Sequence, residues 1–242
     1  MTTVMPRVNK ALDIPALAAT FARDGRVQIN EFLEPEFAAH LHRHLQERDD
    51  WLQIINSGDK IFELSRAARM AFDADRQARL DDAVDKAARF GFQFRYEALR
   101  VEDDISLRAA RHDPLHMFAR LLCSEPVLDL LRHIIGVATL NFADAQATAY
   151  SAGDFLSAHD DAVTGKNRIA AYVYGLTPAW RPEWGGLLMF HNDDGHIRSA
   201  LTPRFNTLNL FAVPQVHSVS QVTSFADGQR ISVTGWLRDT TA

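Results

Sequence analysis

His159 and Asp161 stand two residues apart in "YSAGDFLSAHDDAVTG", residues 150–165, a stretch too polar for a core segment and too rich in small residues for a helix. On an extended chain, side chains at i and i+2 point to the same side, so an imidazole and a carboxylate would converge on one point. That pairing suits a metal ion. Two imidazoles and a carboxylate make the facial triad of a non-haem Fe(II) site, which keeps coordination positions open for substrate and oxygen. His217 is the best candidate for the third donor, because "VPQVHSV" places it near the start of a strand able to neighbour the His159 segment. Arg230 follows thirteen residues later, in "RISVTGWLR". Asp160, between the two donors, reads as a solvated neighbour.

Donors so arranged need strands to carry them. In "RISVTGWLR" one face holds Arg230, Ser232, Thr234 and Trp236, and the other Ile231, Val233, Gly235 and Leu237. "LNFADAQATAYS" alternates likewise, with Asp144, Gln146, Thr148 and Tyr150 opposite a row of alanines. Two polar-faced strands, one of them carrying an arginine, imply a barrel with a polar interior that holds something. The runs "RIAAYVYGL", "GGLLMFHN", "TLNLFAV" and "VHSVSQV", separated by turn-forming segments, complete a set of short strands suited to a sandwich or small barrel.

The first part of the chain reads mainly as helices. They are expected at "IPALAATFARDG", stopped by Gly25, at "EPEFAAHLHRHLQERDD", and over 65–91 with Ser65 as N-cap. Two more are expected at about 113–122 and 125–136. Strands are expected at "RVQINEFL" and "FGFQFRYEAL". The whole is expected to be one α+β domain, 1–242, with 1–137 as mainly helical support packed outside a barrel core at 138–238.

Composition narrows the partners. A net charge of −5 with no block of lysine or arginine gives no nucleic-acid footprint and no anionic-membrane surface. The N-terminal residues lack the apolar region of a signal peptide, and the longest apolar run is broken by Asp129, Arg132 and His133. The single cysteine, Cys123, has no internal disulfide partner. A cytoplasmic protein is expected, and the sequence does not set its oligomeric state.

The ordered set H-x-D, a distant histidine, then an arginine resembles the Fe(II)- and 2-oxoglutarate-dependent dioxygenases, and in particular their prolyl-hydroxylase-like branch. "YSAGDFLSAHDD" is similar to that branch's tyrosine-to-ligand segment. "YVYGLTPAWRPEWGGLLMF" is similar to its strand, tryptophan turn and Gly-Gly hairpin, and "RFNTLNLFAVPQVHSV" and "RISVTGWLR" to its closing segments. The resemblance covers about residues 140–238, with "INEFLEPEFAAHL" similar to the usual helical lead-in.

It implies a double-stranded β-helix in which His159, Asp161 and His217 bind Fe(II), and 2-oxoglutarate chelates the metal through its 1-carboxylate and keto oxygen. Arg230 would pair with the far carboxylate, which suits a planar guanidinium fork. Ser232 could add a donor, and so could Tyr150 or Tyr174. Where relatives have tyrosine followed by leucine, this chain has Tyr174-Gly175-Leu176, so Tyr172 or Tyr174 could face the cosubstrate; Tyr174 is favoured. O2 would be the second cosubstrate, with succinate and CO2 released as a C–H bond is hydroxylated.

The substrate expected is a prolyl residue in a protein or peptide. The alternatives are a free amino acid or other small metabolite, or a barrel that binds metal or a small acid without turnover. Other histidines have plainer readings. His191 and Asp193 repeat the H-x-D spacing in a turn-forming run and read as a hairpin tip. His40, His42 and His44 read as a solvated helix face, and His112 and His116 as loop and helix start.

Overall fold

Short polar side chains set where the helices begin. In this computed structural model, which describes residues 4–240, Asp13 Oδ1 accepts the Ala16 N–H at the start of α1 (Ile14–Asp24). Gly25, in the left-handed region at φ 67°, closes that helix with its N–H on the Phe21 carbonyl. β1 (Arg26–Asn30) and α2 (Pro35–Glu47) follow. Residues 51–64 carry no expectation from sequence, and a hairpin lies there, β2 (Leu52–Ser57) and β3 (Lys60–Ser65).

The single helix expected over 65–91 is two. Ser65 caps α3 (Arg66–Met70) as expected, by accepting the Ala68 N–H. Asp73 then accepts the Arg76 N–H and starts α4 (Ala74–Ala88). Val84 is the one buried residue of α4, so no apolar stripe holds the two pieces in line. β4 (Phe94–Arg100), α5 (Ile105–Ala110), α6 (Pro114–Leu122) and α7 (Glu125–Ile135) lead to the region of dense strands.

That region holds β5 (Phe142–Ala143), β6 (Gln146–Tyr150), β7 (Phe155–His159), β8 (Arg168–Gly175), β9 (Leu188–His191), β10 (Ile197–Leu201), β11 (Thr207–Ala212), β12 (His217–Val219) and β13 (Arg230–Arg238). All pair antiparallel into one curled sheet of order β1-β11-β8-β13-β6-β4-β7-β12-β9-β10. β5 adds to β13, and the β2–β3 hairpin extends from β4. The first hundred residues are therefore more than helical support. β1 forms an edge on β11, and β4 bridges the halves by pairing with both β6 and β7.

The alternation read from sequence sorts the two faces. Ala147, Ala149, Ile231, Val233 and Leu237 turn outward into the main core, where they meet Phe37 and Leu41 of α2, Phe118 of α6 and Leu131 of α7. Thr148, Tyr150, Arg230, Thr234 and Trp236 turn inward and line a cavity. Burial of the outward row against the helices fixes the register, since a slip of one residue would put Arg230 into the apolar layer. The result is the expected α+β class: a curled antiparallel barrel with helices on its outside.

Candidate active site

His159 ends β7 and His217 begins β12, and the two are register partners across that antiparallel pair. Their rings lie 4.2 Å apart between centroids. Asp161 joins them in a way that alternation does not describe. The chain leaves β7 at His159, and Asp161 sits in the left-handed region at φ 64°. The i and i+2 convergence expected from an extended segment is thus made by a turn. It puts Asp161 Oδ1 3.4 Å from His159 Nε2 and Oδ2 3.4 Å from His217 Nε2. One ligand atom from each residue lies within 4.8 Å of the other two.

Both imidazoles are oriented from behind. His159 Nδ1 lies 3.0 Å from the Ser157 carbonyl and His217 Nδ1 2.8 Å from that of Gln215. A carbonyl can only accept, so Nδ1 carries the proton in each ring and both Nε2 lone pairs face Asp161. Burial, followed by the neighbouring His159, pulls His217 down to about 4, so it is neutral at physiological pH. Burial works against the charge of Asp161. The polar surroundings of its carboxylate, His159 first and then His217 and Trp236, nevertheless hold its carboxyl below the usual aspartate range. Neutral imidazole nitrogens and an ionised carboxylate are the states a divalent cation requires of its ligands, so this donor set fits Fe(II).

The cavity beside the triad measures about 510 Å³, and Arg230 lies against its wall. Arg230 is 3 % exposed, and its guanidinium sits 4.9 Å from the centroid of the Tyr150 ring and has an Nη1 with no hydrogen-bond partner. An orphaned buried cation is costly unless a partner completes it, and a carboxylate matches its fork. The residues present therefore fit 2-oxoglutarate. The Gly185-Gly186 turn makes room behind the arginine. A side chain at Gly186 would begin 3.3 Å from Arg230 Cδ, and one at Gly185 would run into the Gln221 carbonyl at 2.0 Å. Trp180 anchors the same turn by donating to the Gly185 carbonyl.

The other residues singled out from sequence separate. Tyr150 is buried in the cavity wall and stacks on Tyr96 at 5.0 Å. Ser232 is buried on the inward face, with its hydroxyl 2.9 Å from that of Thr148, which lines the cavity. Tyr174 is a correction. Strand alternation turns it to the helical side, where its ring stacks on Phe118 at 4.9 Å and its hydroxyl donates to Asn206 Oδ1 at 2.7 Å. Tyr172 shares that outer face and donates to the Asp144 carbonyl, although its ring also touches the cavity beside Gly235. Val173, between them, is the inward residue.

Several functional neighbours were not foreseen as such. Trp236 lines the cavity together with Asp161, and Arg168 donates from Nη1 to the Asp161 carbonyl at 2.9 Å. Phe92 packs on His159 at 5.5 Å. The Trp236 signal was legible, since it shares the inward face with Arg230. The Arg168 signal was not: pairing slips between Leu237 and Arg238, and this bulge turns Arg168 inward beside Ala171 and Val173.

The decoy histidines lie elsewhere. His191 Nε2 meets Ser218 Oγ at 2.7 Å, and Asp193 lies in the β9–β10 turn, closed by the Asn192 N–H on the His196 carbonyl. His44 pairs with Asp113, and His116 is buried between Asp113 and Glu102. Among the described residues, no group of three donors includes any of them.

Residues 145–238 match the model of the 2OG-Fe(II) oxygenase superfamily. Over 134 residues, 52% of this chain, it is 32% identical to prolyl 3-hydroxylase OGFOD1 of Mus musculus, and over 115 residues, 42% of the chain, 32% identical to prolyl 3-hydroxylase sudestada1 of Drosophila melanogaster. The chain spans only 24% and 21% of the lengths of these curated relatives. The fold is similar to that of a prolyl-4-hydroxylase from Pseudomonas putida, with a TM-score of 0.62 and 16% identity, covering 93% of this chain and 98% of that one. No helix among the described residues is long and apolar enough to cross a membrane. The matched segment contains all three donors of the facial triad, so residues 145–238 are similar to the 2OG-Fe(II) oxygenase superfamily both in sequence and in their metal-ligand set, and that superfamily is named for Fe(II) and 2-oxoglutarate.

Proposed function

We propose that this oxygenase hydroxylates a prolyl residue in a protein or peptide. The observation that carries the substrate reading is the 32% identity, over 134 residues, to a relative named as a prolyl 3-hydroxylase. The Pseudomonas putida neighbour, also named for prolyl hydroxylation, supports the fold half of it.

Bound Fe(II) and 2-oxoglutarate, with O2, supply the oxidising power that places oxygen in an unactivated C–H bond as succinate and CO2 are released. The chain's own residues have distinct tasks. His159, Asp161 and His217 would hold Fe(II). The Ser157 and Gln215 carbonyls hold the two imidazoles in the ligating tautomer. Arg230 takes the far carboxylate of 2-oxoglutarate, and burial strengthens that contact by excluding water. Tyr150 supports the guanidinium from its ring face, and the Thr148–Ser232 hydroxyl pair offers further donors on the same wall. Phe92, Phe94 and Trp236 give the cavity an apolar lining suited to a pyrrolidine ring.

The test is incubation of Fe(II)-loaded protein with 2-oxoglutarate, air and a library of proline-containing peptides, read by mass spectrometry. Addition of one oxygen atom to proline, dependent on 2-oxoglutarate and lost in Asp161→Ala, is expected. Succinate formation stimulated only by non-prolyl small molecules would overturn the substrate assignment while leaving the oxygenase chemistry in place.

A further inference from the structure

A second cavity, of about 400 Å³, adjoins the metal-facing one and shares Arg168 and Trp236 with it. Its ionisable lining is four cations, Arg100, Lys166, Arg168 and Arg238, against two carboxylates, Asp103 and Asp144. The chain as a whole carries −5, so the positive balance belongs to this cavity and not to the surface at large.

The two acids are already taken. Arg238 Nη2 bonds Asp144 at 2.6 Å and Asp103 at 2.8 Å. The other cations are poorly matched. Arg100 faces Glu63 at 3.6 Å, with side chains 60% and 45% exposed, a contact that water largely screens. Lys166 has no side-chain ion pair or hydrogen bond among the described residues. Arg168 donates to the Asp161 carbonyl and stands 4.0 Å from Asp161 Oδ1, and its Nε is buried without a partner. Three positive groups, from β4, from the turn after Asp161 and from the start of β8, thus surround one space that holds little charge to answer them.

Its position relative to the triad matters. Along β13, same-face residues are spaced by about 7 Å, so Arg230 and Trp236 stand at opposite ends of the inward row. Arg168, which donates to the carbonyl of the ligand Asp161, lines both cavities with Trp236, and the second cavity extends from there, away from Arg230. A molecule presenting a C–H bond to the metal would extend into it.

We infer that this cavity is an anion-recognising subsite of the substrate pocket, taking a carboxylate that the substrate carries next to the carbon to be oxidised. The inference rests on the hydroxylase reading above. A carboxylate can accept from Lys166 and Arg168 together, and its single charge crowds Asp103 and Asp144 less than a phosphate dianion would. Ile54, Ile61 and Phe94 on the adjoining wall would pack the apolar stem that carries it. The carboxylate has two chemical sources, an acidic residue flanking a proline or the α-carboxylate of the reacting amino acid itself.

Two matched pairs separate these: a blocked pentapeptide with glutamate on both sides of a central proline against its glutamine counterpart, and N-acetylproline against N-acetylprolinamide. Each is titrated calorimetrically, without oxygen, into protein loaded with Fe(II) and 2-oxoglutarate. The acid member of one pair is expected to bind about tenfold more tightly than its neutral partner, as one charge-assisted contact gives. The ratio is expected to fall towards unity in Lys166→Glu and Arg100→Glu, and the pair that shows the preference names the source. Equal binding within both pairs, no binding by any of the four, or a preference that survives both substitutions overturns the subsite. Addition of oxygen to proline without any acid preference would remove the subsite and keep the activity.

Discussion

The guanidinium of Arg168 lies over the indole of Trp236, 3.5 Å from the ring centroid, and its Nη1 stands 4.0 Å from Asp161 Oδ1. Arg168 donates to the Asp161 carbonyl, and Trp236 lines the cavity beside it. A non-glycine residue at φ 64° costs about 1 kcal/mol, so the metal-binding conformation of Asp161 needs this support.

Trp236→Ala removes the aromatic face under Arg168. It is expected to weaken Mn(II) binding by about tenfold, as loss of a residue that positions the partner of a ligating side chain does. Arg168→Ala removes the carbonyl contact and the stacking partner together and is expected to cost at least as much. Calorimetric titration with Mn(II) checks both, and unchanged affinity would show that Asp161 holds its conformation unaided.

Arg230→Ala is expected to weaken 2-oxoglutarate binding by about 2 kcal/mol or more while sparing metal binding, because a charge-assisted bidentate contact is lost. Arg230→Lys should recover part of this, since an ammonium keeps the charge and loses the fork. Titration of the metal-loaded protein reads both. Unaltered affinity in Arg230→Ala would move the carboxylate clamp elsewhere.

Gly186→Ala should imitate a mild form of that loss. Its Cβ would sit 3.3 Å from Arg230 Cδ and 3.2 Å from Val222 Cγ2, on a backbone at φ 61°. The guanidinium must shift, so 2-oxoglutarate should bind several-fold more weakly with metal affinity intact. Equal affinities would show that Arg230 accommodates the methyl group.

Glu97 predicts a dependence of stability on pH. Burial raises its pKa, but Arg66 and Arg69 of α3, with Gln229, outweigh this and hold the carboxyl below its ordinary value. A group depressed on folding contributes stability that is complete above its unfolded pKa of about 4.3 and is lost as pH falls through the folded value. Urea denaturation should therefore show wild type losing stability as pH falls below about 5. Glu97→Gln should be less stable at pH 7 by about 3 kcal/mol, because two arginines lose a buried partner, and should show a shallower acid dependence. Identical acid profiles would remove Glu97 from the account.

What could be read from the sequence follows from regular strands. The alternation in β6 and β13 correctly turned Thr148, Tyr150, Arg230 and Trp236 inward, because burial of the opposite row enforces a period of two. The same rule, applied to β8, would have assigned Tyr174 to the helical side, since Val173 is the inward residue there. Departures from regularity hid the rest. Asp161 reaches the histidines through a left-handed turn, and Arg168 turns inward at a bulge. β4 gave no site residues from sequence, although Phe94 and Tyr96 line the cavity, because its partners β6 and β7 lie more than forty residues away.

The most direct test of the metal and cosubstrate assignment is anaerobic titration of Fe(II)-loaded protein with 2-oxoglutarate, followed by visible absorption. Chelation by the keto acid gives a charge-transfer band, expected in wild type, abolished in His217→Ala, and requiring much more 2-oxoglutarate in Arg230→Ala. Absence of the band in wild-type protein of verified iron content would contradict a site built from His159, Asp161, His217 and Arg230.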